Sequence, residues 1–279
     1  MAGVLYVVAT PIGNLEDITR RAVNVLSGVA MIAAEDTRRT GVLLEAIGAR
    51  GARLVALHAH NEAASSRQVV ERLRGGDDVA LVSDAGTPLL SDPGFELIRT
   101  CWAEGLPVVP VPGPSALLAA LSVSPIPCGQ FHFEGFLPSR TQQRRERLLA
   151  LAALDSPVVF FEAPHRMADC LEDLAGMVPE RRLMIAREMT KRHEQYLCDR
   201  PARLAAMLES ADQLRGEFVC VLEGGREAAA PAEVHRTMEI LCRELPPAQA
   251  ARIGAQLLGR KRRELYALAL QVAGSRSPR

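Results

Sequence analysis

Five short apolar runs mark the first 111 residues: Leu5–Ala9, Val29–Ala34, Leu54–His58, Val79–Ser83 and Val108–Val111. Amphipathic stretches such as Ile18–Leu26 and Ala64–Leu73 lie between them, and Gly75-Gly76 punctuates one junction. Short apolar runs alternating with helical periodicity leave few architectures open. The pattern is that of an α/β domain with a mostly parallel sheet.

The segment "SVSPIPCGQ" (122–130) interrupts the alternation with two prolines and a glycine, which predicts a domain boundary there. A second α/β set follows. Its strands are expected near Phe131–Phe136, Val158–Glu162, Leu183–Arg187, Glu194–Cys198 and Phe218–Glu223, and its helices near Gln142–Ala153, Arg166–Met177 and Pro201–Glu209. This half reads as more mixed, with some antiparallel pairing. "GGREAAAPAE" (224–233) reads as a linker, and the rest as helical. Pro247 suits a first helical turn, Gly259 suits a stop, and "RKRRELYALALQ" starts another helix. The expected division is therefore 1–122, 123–225 and a helical extension over 231–273. Two helices around a glycine resemble a helix-turn-helix in outline. A helical hairpin that packs on the domain or on a second subunit fits equally.

Charge and cysteine content exclude several classes. With 33 basic and 33 acidic residues the net charge is zero, which argues against indiscriminate nucleic-acid coating. From Arg236 onward, however, nine basic residues face three acidic ones, so a localised contact with a polyanion is open. The six cysteines form no CxxC pair, which argues against a disulfide framework or zinc site and suits a reducing, cytoplasmic setting. No apolar run reaches the roughly 18 residues of a membrane span. The N-terminus lacks the basic region and cleavage site of a signal peptide.

Ligands of open α/β sheets bind beyond the carboxyl ends of the strands, and those ends carry unusual residues here. After the first run comes "TPIGNLEDIT", where Pro11 and Gly13 shape a turn and Glu16 and Asp17 open the helix. The dinucleotide fingerprint G-x-G-x-x-G is absent. After the second comes "AEDTRRT", with Glu35 and Asp36 adjacent; Asp36 or Thr37 can also simply cap a helix. After the third comes "HAHNE", whose two histidines lack a third ligand, so no metal is expected. The fourth is followed by "SDAGTPLLSDPG", with two aspartates and no base; a phosphate would call for lysine or arginine. The fifth is followed by "VPGPSALLAAL", where Gly113 permits close backbone approach and Ser115 can cap a helix. Together these loops predict one cleft lined by backbone and acids. It suits a ligand with positive charge, amide-like edges and a carboxylate.

"LYVVATPIGNL", "AEDTRRT", "LVSDAGTPLLSDPG", "VPGPSA" and "EGFLP", in this order, closely resemble the tetrapyrrole-methylase superfamily, the class III S-adenosylmethionine methyltransferases. Within it they resemble the bacterial branch that methylates a ribose 2′-hydroxyl of a cytidine in small-subunit ribosomal RNA, near the decoding centre. "FFEAPHR", "AREMTK" and "RGEFVCVLEGG" extend the resemblance over residues 4–225. It implies two α/β domains with S-adenosylmethionine in a cleft between them, a homodimer, and ribosomal RNA or the assembled small subunit as partner. Carried over by motif, Pro11, Gly13, Asp84, Ala85, Gly86, Thr87, Pro112, Gly113, Ser115 and Ala116 match the cofactor loops. Phe161, Ala186 and Leu222 fall where the second domain closes over the adenosyl group. The chain departs from Tyr-Glu-Ser-Pro-His-Arg with Phe161 and Ala163, so neither hydroxyl is required here. A small-molecule or protein methylase of the same fold, of porphyrinoid or diphthine type, is one alternative, and a non-enzymatic RNA-binding or ribosome-associated factor that kept the fold is another.

Transfer of a methyl group from a sulfonium needs alignment of oxygen, carbon and sulfur. The weakly nucleophilic hydroxyl also gains from an acceptor. The acceptor candidates are Glu35, Asp36, Glu162 and Glu188; His165 is a base or an orienter of phosphate. Arg166, Arg187 and Lys191 are the expected RNA contacts, joined by Arg260, Lys261, Arg262 and Arg263 in the tail. Each acid also reads as a surface charge or helix cap, and each basic group as a solvated face.

Overall fold

The computed structural model describes residues 1–58, 60–208, 215–225, 231–258 and 260–274. The first part runs β1 (Leu5–Val8), α1 (Arg20–Gly28), β2 (Met31–Ala34), α2 (Thr37–Ala46), β3 (Arg53–Ala56), α3 (Glu62–Arg74), β4 (Val79–Val82), α4 (Phe95–Ala103), β5 (Val108–Val111) and α5 (Ala116–Ser122). Its five strands are all parallel, in the order β3-β2-β4-β1-β5. The continuous apolar runs have a simple cause: β2 and β4 are buried at every position. Met31, Ala33, Val79 and Leu81 join a core with Val69, Leu73, Leu97 and Cys101 of α3 and α4. The alternate residues Ile32, Ala34, Ala80 and Val82 join a second core with Ala22, Leu26 and Leu44 of α1 and α2. Each larger aliphatic side chain so buried contributes about 1.5–3 kcal/mol.

One helix start differs from expectation. Glu16 and Asp17 do not open α1; they lie in a separate 3₁₀ turn, Leu15–Asp17, which Asn14 caps. Helix α1 begins at Arg20, where Thr19 Oγ1 accepts the Ala22 N–H. At α2 the capping residue is Asp36, whose carboxylate accepts the Arg38 N–H.

The second part runs β6 (His132–Phe136), α6 (Thr141–Ala152), β7 (Val158–Glu162), α7 (Met167–Met177), β8 (Leu183–Arg187), β9 (Gln195–Asp199), α8 (Pro201–Met207) and β10 (Phe218–Leu222). The sheet order is β6-β7-β10-β8-β9. Strands β6 and β7 are parallel, whereas β10 is antiparallel to both of its neighbours and β9 antiparallel to β8. One face shares a core with the first part. Val159, Met184, Ala186, Val219 and Val221 pack with Ile12, Leu117, Ala120 and Ile126. Accordingly, residues 1–151 and 157–223 form one compact unit that holds both sheets.

Residues 152–156 and 224–279 form the second unit. Its helices are α9 (Pro231–Glu244), α10 (Pro247–Leu258) and α11 (Arg262–Gly274). They enclose their own core of Val234, Met238, Ala250, Ala251, Leu258, Leu265 and Ala269. Pro247 takes the first position of α10 as expected. Gly259 and residues 226–230 of the expected linker lie outside the described residues.

A candidate active-site cleft

Strands β1 and β4 are neighbours, yet the chain leaves them in opposite directions, toward β2 and β5. Such a switch point opens a crevice beyond the strand ends. The outgoing loops are stitched together there: the Thr10 N–H donates to Gly86 O at 2.9 Å, and the Gly86 N–H donates to Thr10 O at 3.0 Å. The Thr10 hydroxyl donates to Ser83 O at 3.2 Å. The Thr87 hydroxyl donates to Pro114 O at 3.1 Å, which ties in the loop after β5. Gly86 holds φ +81°, and a Cβ there would lie 3.3 Å from Ile12 Cγ2, so this turn calls for glycine.

The resulting cleft has a volume of about 420 Å³. The first part contributes Ile12, Glu35, Arg39 and residues 84–87, 90–92 and 115–117. The second contributes Phe136, residues 161–164, Met189 and residues 217–219. The two parts approach closely: a Cβ on Gly135, at φ +74°, would stand 2.9 Å from Ser91 Oγ. The non-glycine residues with left-handed backbone, Leu89, Ser91, Glu188 and Thr190, fall in two loops beside this cleft. Such strain persists only where surrounding contacts hold it.

The lining is strongly anionic. Glu35, Asp84, Asp92, Glu162 and Glu217 border the cleft, and Arg39 is the single cation among its described lining residues. Asp84 sits at the centre of the first wall. Its N–H donates to Glu35 Oε2 at 3.2 Å. Its Oδ1 accepts the Asp36 N–H at 3.0 Å, and its Oδ2 pairs with Arg39 Nη1 at 3.2 Å. Asp92 completes a group of three carboxylates. Burial, with the charges of Glu35 and Asp84, pushes its pKa up to about 6.

The second wall carries a different kind of acid. Glu162 ends β7, and its side chain is fully buried. Its Oε1 accepts the Ala163 N–H at 2.8 Å. The same oxygen lies 2.7 Å from Arg166 Nε, a close ion pair that is not aligned as a hydrogen bond. Glu162 Oε2 has no hydrogen-bond partner. Phe161 lies edge-on to Phe133 and Phe136, with ring centroids 5.2 and 5.5 Å away.

The structure distributes the expected residues unevenly. Of the acceptor candidates, Glu35 and Glu162 both border the cleft, but the Glu162 carboxylate is buried on the opposite face of its sheet, beside Cys170 and Cys220. Asp36 is held by Arg38 through paired hydrogen bonds of 3.1 and 2.7 Å, which keep its carboxyl well below the usual range. Glu188 is clipped between Lys191 Nζ at 2.8 Å and the Glu217 N–H at 3.0 Å, and these partners lower its pKa against the opposing effect of burial. His165 is exposed, in a short turn beside Pro164. Of the expected RNA contacts, Arg166 turns inward, toward Glu162 and toward Leu137 O at 2.6 Å. Arg187 donates to Arg215 O, and Lys191 bridges Glu188 and Glu217. Arg260 pairs with Glu264 at 2.9 Å, while Lys261, Arg262 and Arg263 stand exposed at the start of α11. Cations there oppose the helix dipole, so they do not serve the helix.

Among the expected cofactor residues, Asp84, Ala85, Gly86, Thr87, Ser115, Ala116 and Phe161 line the cleft. Pro11, Gly13, Pro112 and Gly113 belong to its loops without lining it. Ala186 is buried in the shared core. Leu222 is misplaced by the sequence reading. It pairs with Val158, at the start of β7, whereas Phe218 pairs with Glu162 at the cleft. Strand β10 runs antiparallel, so its first residues, Phe218 and Val219, face the ligand end. Asp92, Arg39, Met189 and Glu217 were missed as site residues; the second aspartate of "SDAGTPLLSDPG" was the visible signal for Asp92. Among the described residues no group of three His, Cys, Asp or Glu could hold a metal ion.

A family model described as Tetrapyrrole (Corrin/Porphyrin) Methylases matches residues 4–205, and one described as RsmI C-terminal HTH domain matches residues 228–273. The chain is 47% identical over 268 residues to the Ribosomal RNA small subunit methyltransferase I of Xylella fastidiosa (strain Temecula1), covering 95% of this chain and 98% of that one. It is 45% identical over 276 residues to the protein of that name from Escherichia coli O157:H7, covering 98% and 96%. Among solved structures it is similar to the uroporphyrin-III C-methyl transferase from Thermus thermophilus complexed with S-adenyl homocysteine. The TM-score is 0.54 at 18% identity, covering 79% of this chain and 97% of that one.

Proposed function

Because this chain belongs to the tetrapyrrole methylase family, and within it groups with the ribosomal RNA small subunit methyltransferase I proteins, we propose that its cleft methylates the 2′-hydroxyl of a cytidine near the decoding centre. The coarser activity, S-adenosylmethionine-dependent methylation of small-subunit ribosomal RNA, is that of the branch to which the chain belongs. The residues present fit that cofactor. It carries a sulfonium and an ammonium but no phosphate, and Glu35, Asp84 and Asp92 line one wall with no lysine among them. The backbone of residues 84–87 approaches closely because Gly86 has no side chain. When bound, the cofactor supplies an electrophilic methyl group.

The finer reading rests on one observation: Glu35, just past the end of β2, is the acceptor candidate whose partly exposed side chain lines the cleft. Its Oε2 accepts the Asp84 N–H at 3.2 Å, which holds the carboxylate beside the cleft for the ribose hydroxyl. An acceptor so placed orients the hydroxyl and takes its proton, an effect of roughly 10²–10⁴ in rate. The nucleotide enters singly, unstacked from its neighbours.

Tritiated S-adenosylmethionine offered with undermethylated small subunits, naked RNA and a porphyrinoid tests the proposal. Label in the cytidine ribose of the RNA is expected, and label in the porphyrinoid alone overturns it. The anionic cleft disfavours a porphyrinoid, which carries several carboxylates of its own. We further infer a cytoplasmic homodimer acting on the assembled small subunit; sedimentation and the comparison of the two RNA substrates check this. No helix among the described residues is long and apolar enough to cross a membrane.

A further inference from the structure

RNA is a polyanion, and the cleft it must enter is lined by five acidic residues and one basic one, Arg39. The other basic groups nearby are committed. Arg38 is held in a fork by Asp36, at 3.1 and 2.7 Å. Arg166 is buried against Glu162 and Leu137 O, and Lys191 lies between Glu188 and Glu217. Arg39 is different. Its side chain is 69% exposed, and its contact is a single ion pair of 3.2 Å to Asp84 Oδ2. An exposed pair of this kind contributes little, because solvent and salt screen it. A phosphodiester offers a guanidinium two parallel charge-assisted hydrogen bonds instead.

We propose that Arg39 exchanges Asp84 for the phosphodiester of the nucleotide to be methylated and is the substrate-positioning cation of the cleft. The proposal rests on the RNA-methyltransferase reading above. The exchange has a second consequence: Asp84 Oδ2, released from Arg39, becomes available to the cationic cofactor. Substrate and cofactor then favour each other's binding, and loss of Arg39, which also frees Asp84 Oδ2, leaves cofactor affinity equal or slightly higher.

The test compares wild type with Arg39→Ala and Arg39→Lys on undermethylated small subunits, and measures cofactor binding separately by calorimetry. For Arg39→Ala the KM for the subunit is expected to rise roughly tenfold or more, with kcat within about twofold and cofactor Kd unchanged or a few-fold lower. The slope of log affinity against log salt is expected to become shallower by about one. Arg39→Lys is expected to recover part of the loss. An unchanged KM and salt slope overturns the proposal. So does a weakened cofactor Kd with unchanged KM, which would make Arg39 a support for Asp84 only. Fluorescence anisotropy with a labelled RNA fragment reads Arg39 without methyl transfer. It therefore decides the proposal even if wild type transfers no methyl to RNA, an outcome that would sink the functional reading instead.

Discussion

The two sheets meet the same cleft in different ways. In the first, five parallel strands send every outgoing loop to one end, so the wall consists of consecutive loop backbone and the carboxylates Glu35, Asp84 and Asp92. In the second, mixed polarity lets the end of β7 and the start of β10 share the wall, and the residues there are apolar apart from Glu162, Glu217 and the chain itself. One wall is therefore half-open and electrostatic, suited to a cationic cofactor. The other is mostly apolar, with Phe136, Phe161, Phe218 and Val219, suited to packing against a base or ribose. The difference teaches that parallel order builds a binding surface from loops, whereas a reversed strand places isolated side chains.

Four variants probe the cleft and its surroundings, beginning with the largest expected effect. Glu35→Gln is expected to lower kcat by about 100-fold or more with a smaller effect on cofactor Kd, as steady-state kinetics and calorimetry would read. Loss of cofactor binding with unchanged kcat in this variant would make Glu35 a cofactor contact only. Asp84→Ala is expected to weaken cofactor binding by roughly tenfold, since a charge-assisted contact is removed. Unchanged affinity would show that Asp84 only holds its loop. The combined change Lys261→Ala, Arg262→Ala and Arg263→Ala is expected to weaken RNA binding several-fold and flatten its salt dependence, with cofactor Kd unaltered; anisotropy over a salt series checks it.

The smallest effect concerns Asp92. Its carboxyl is pushed up to about 6 in the folded protein, against about 3.9 in an unfolded chain. In that window the folded state binds more protons, so its stability contribution is present below about pH 4 and is lost as pH rises through 6. A cationic ligand favours the ionised form and therefore releases a proton on binding. Cofactor affinity is expected to rise a few-fold between about pH 5 and 7, and Asp92→Asn to flatten that rise. A flat wild-type profile in calorimetry would remove Asp92 from the cofactor wall.

Much of the fold was legible because burial on both faces writes itself as unbroken apolar runs; "MIAA" and "VALV" are buried at every position. The start of α1 was less so, because Asn14 and Thr19 both cap and only their backbone geometry tells which turn continues. The cofactor loops carried local signals, glycine and aspartate after a strand, and Asp84 to Thr87 line the cleft. The inward turn of Arg166 and the position of Leu222 away from the cleft were not legible for one reason: a motif states neighbours in the chain, not the direction in which a side chain or strand points.

Local chemistry, then, was determined by sequence alone: which segments become strands, which turns need glycine, and which loops hold acids without bases. Tertiary structure decided the rest. It brought Glu35, Asp84 and Asp92 together, turned Arg166 inward, left Glu162 Oε2 without a partner, and left Arg39 as the cleft's exposed cation. Charge and hydrogen-bond energies depend on distance and burial between residues far apart in the chain, and these arise only once the sheets have packed.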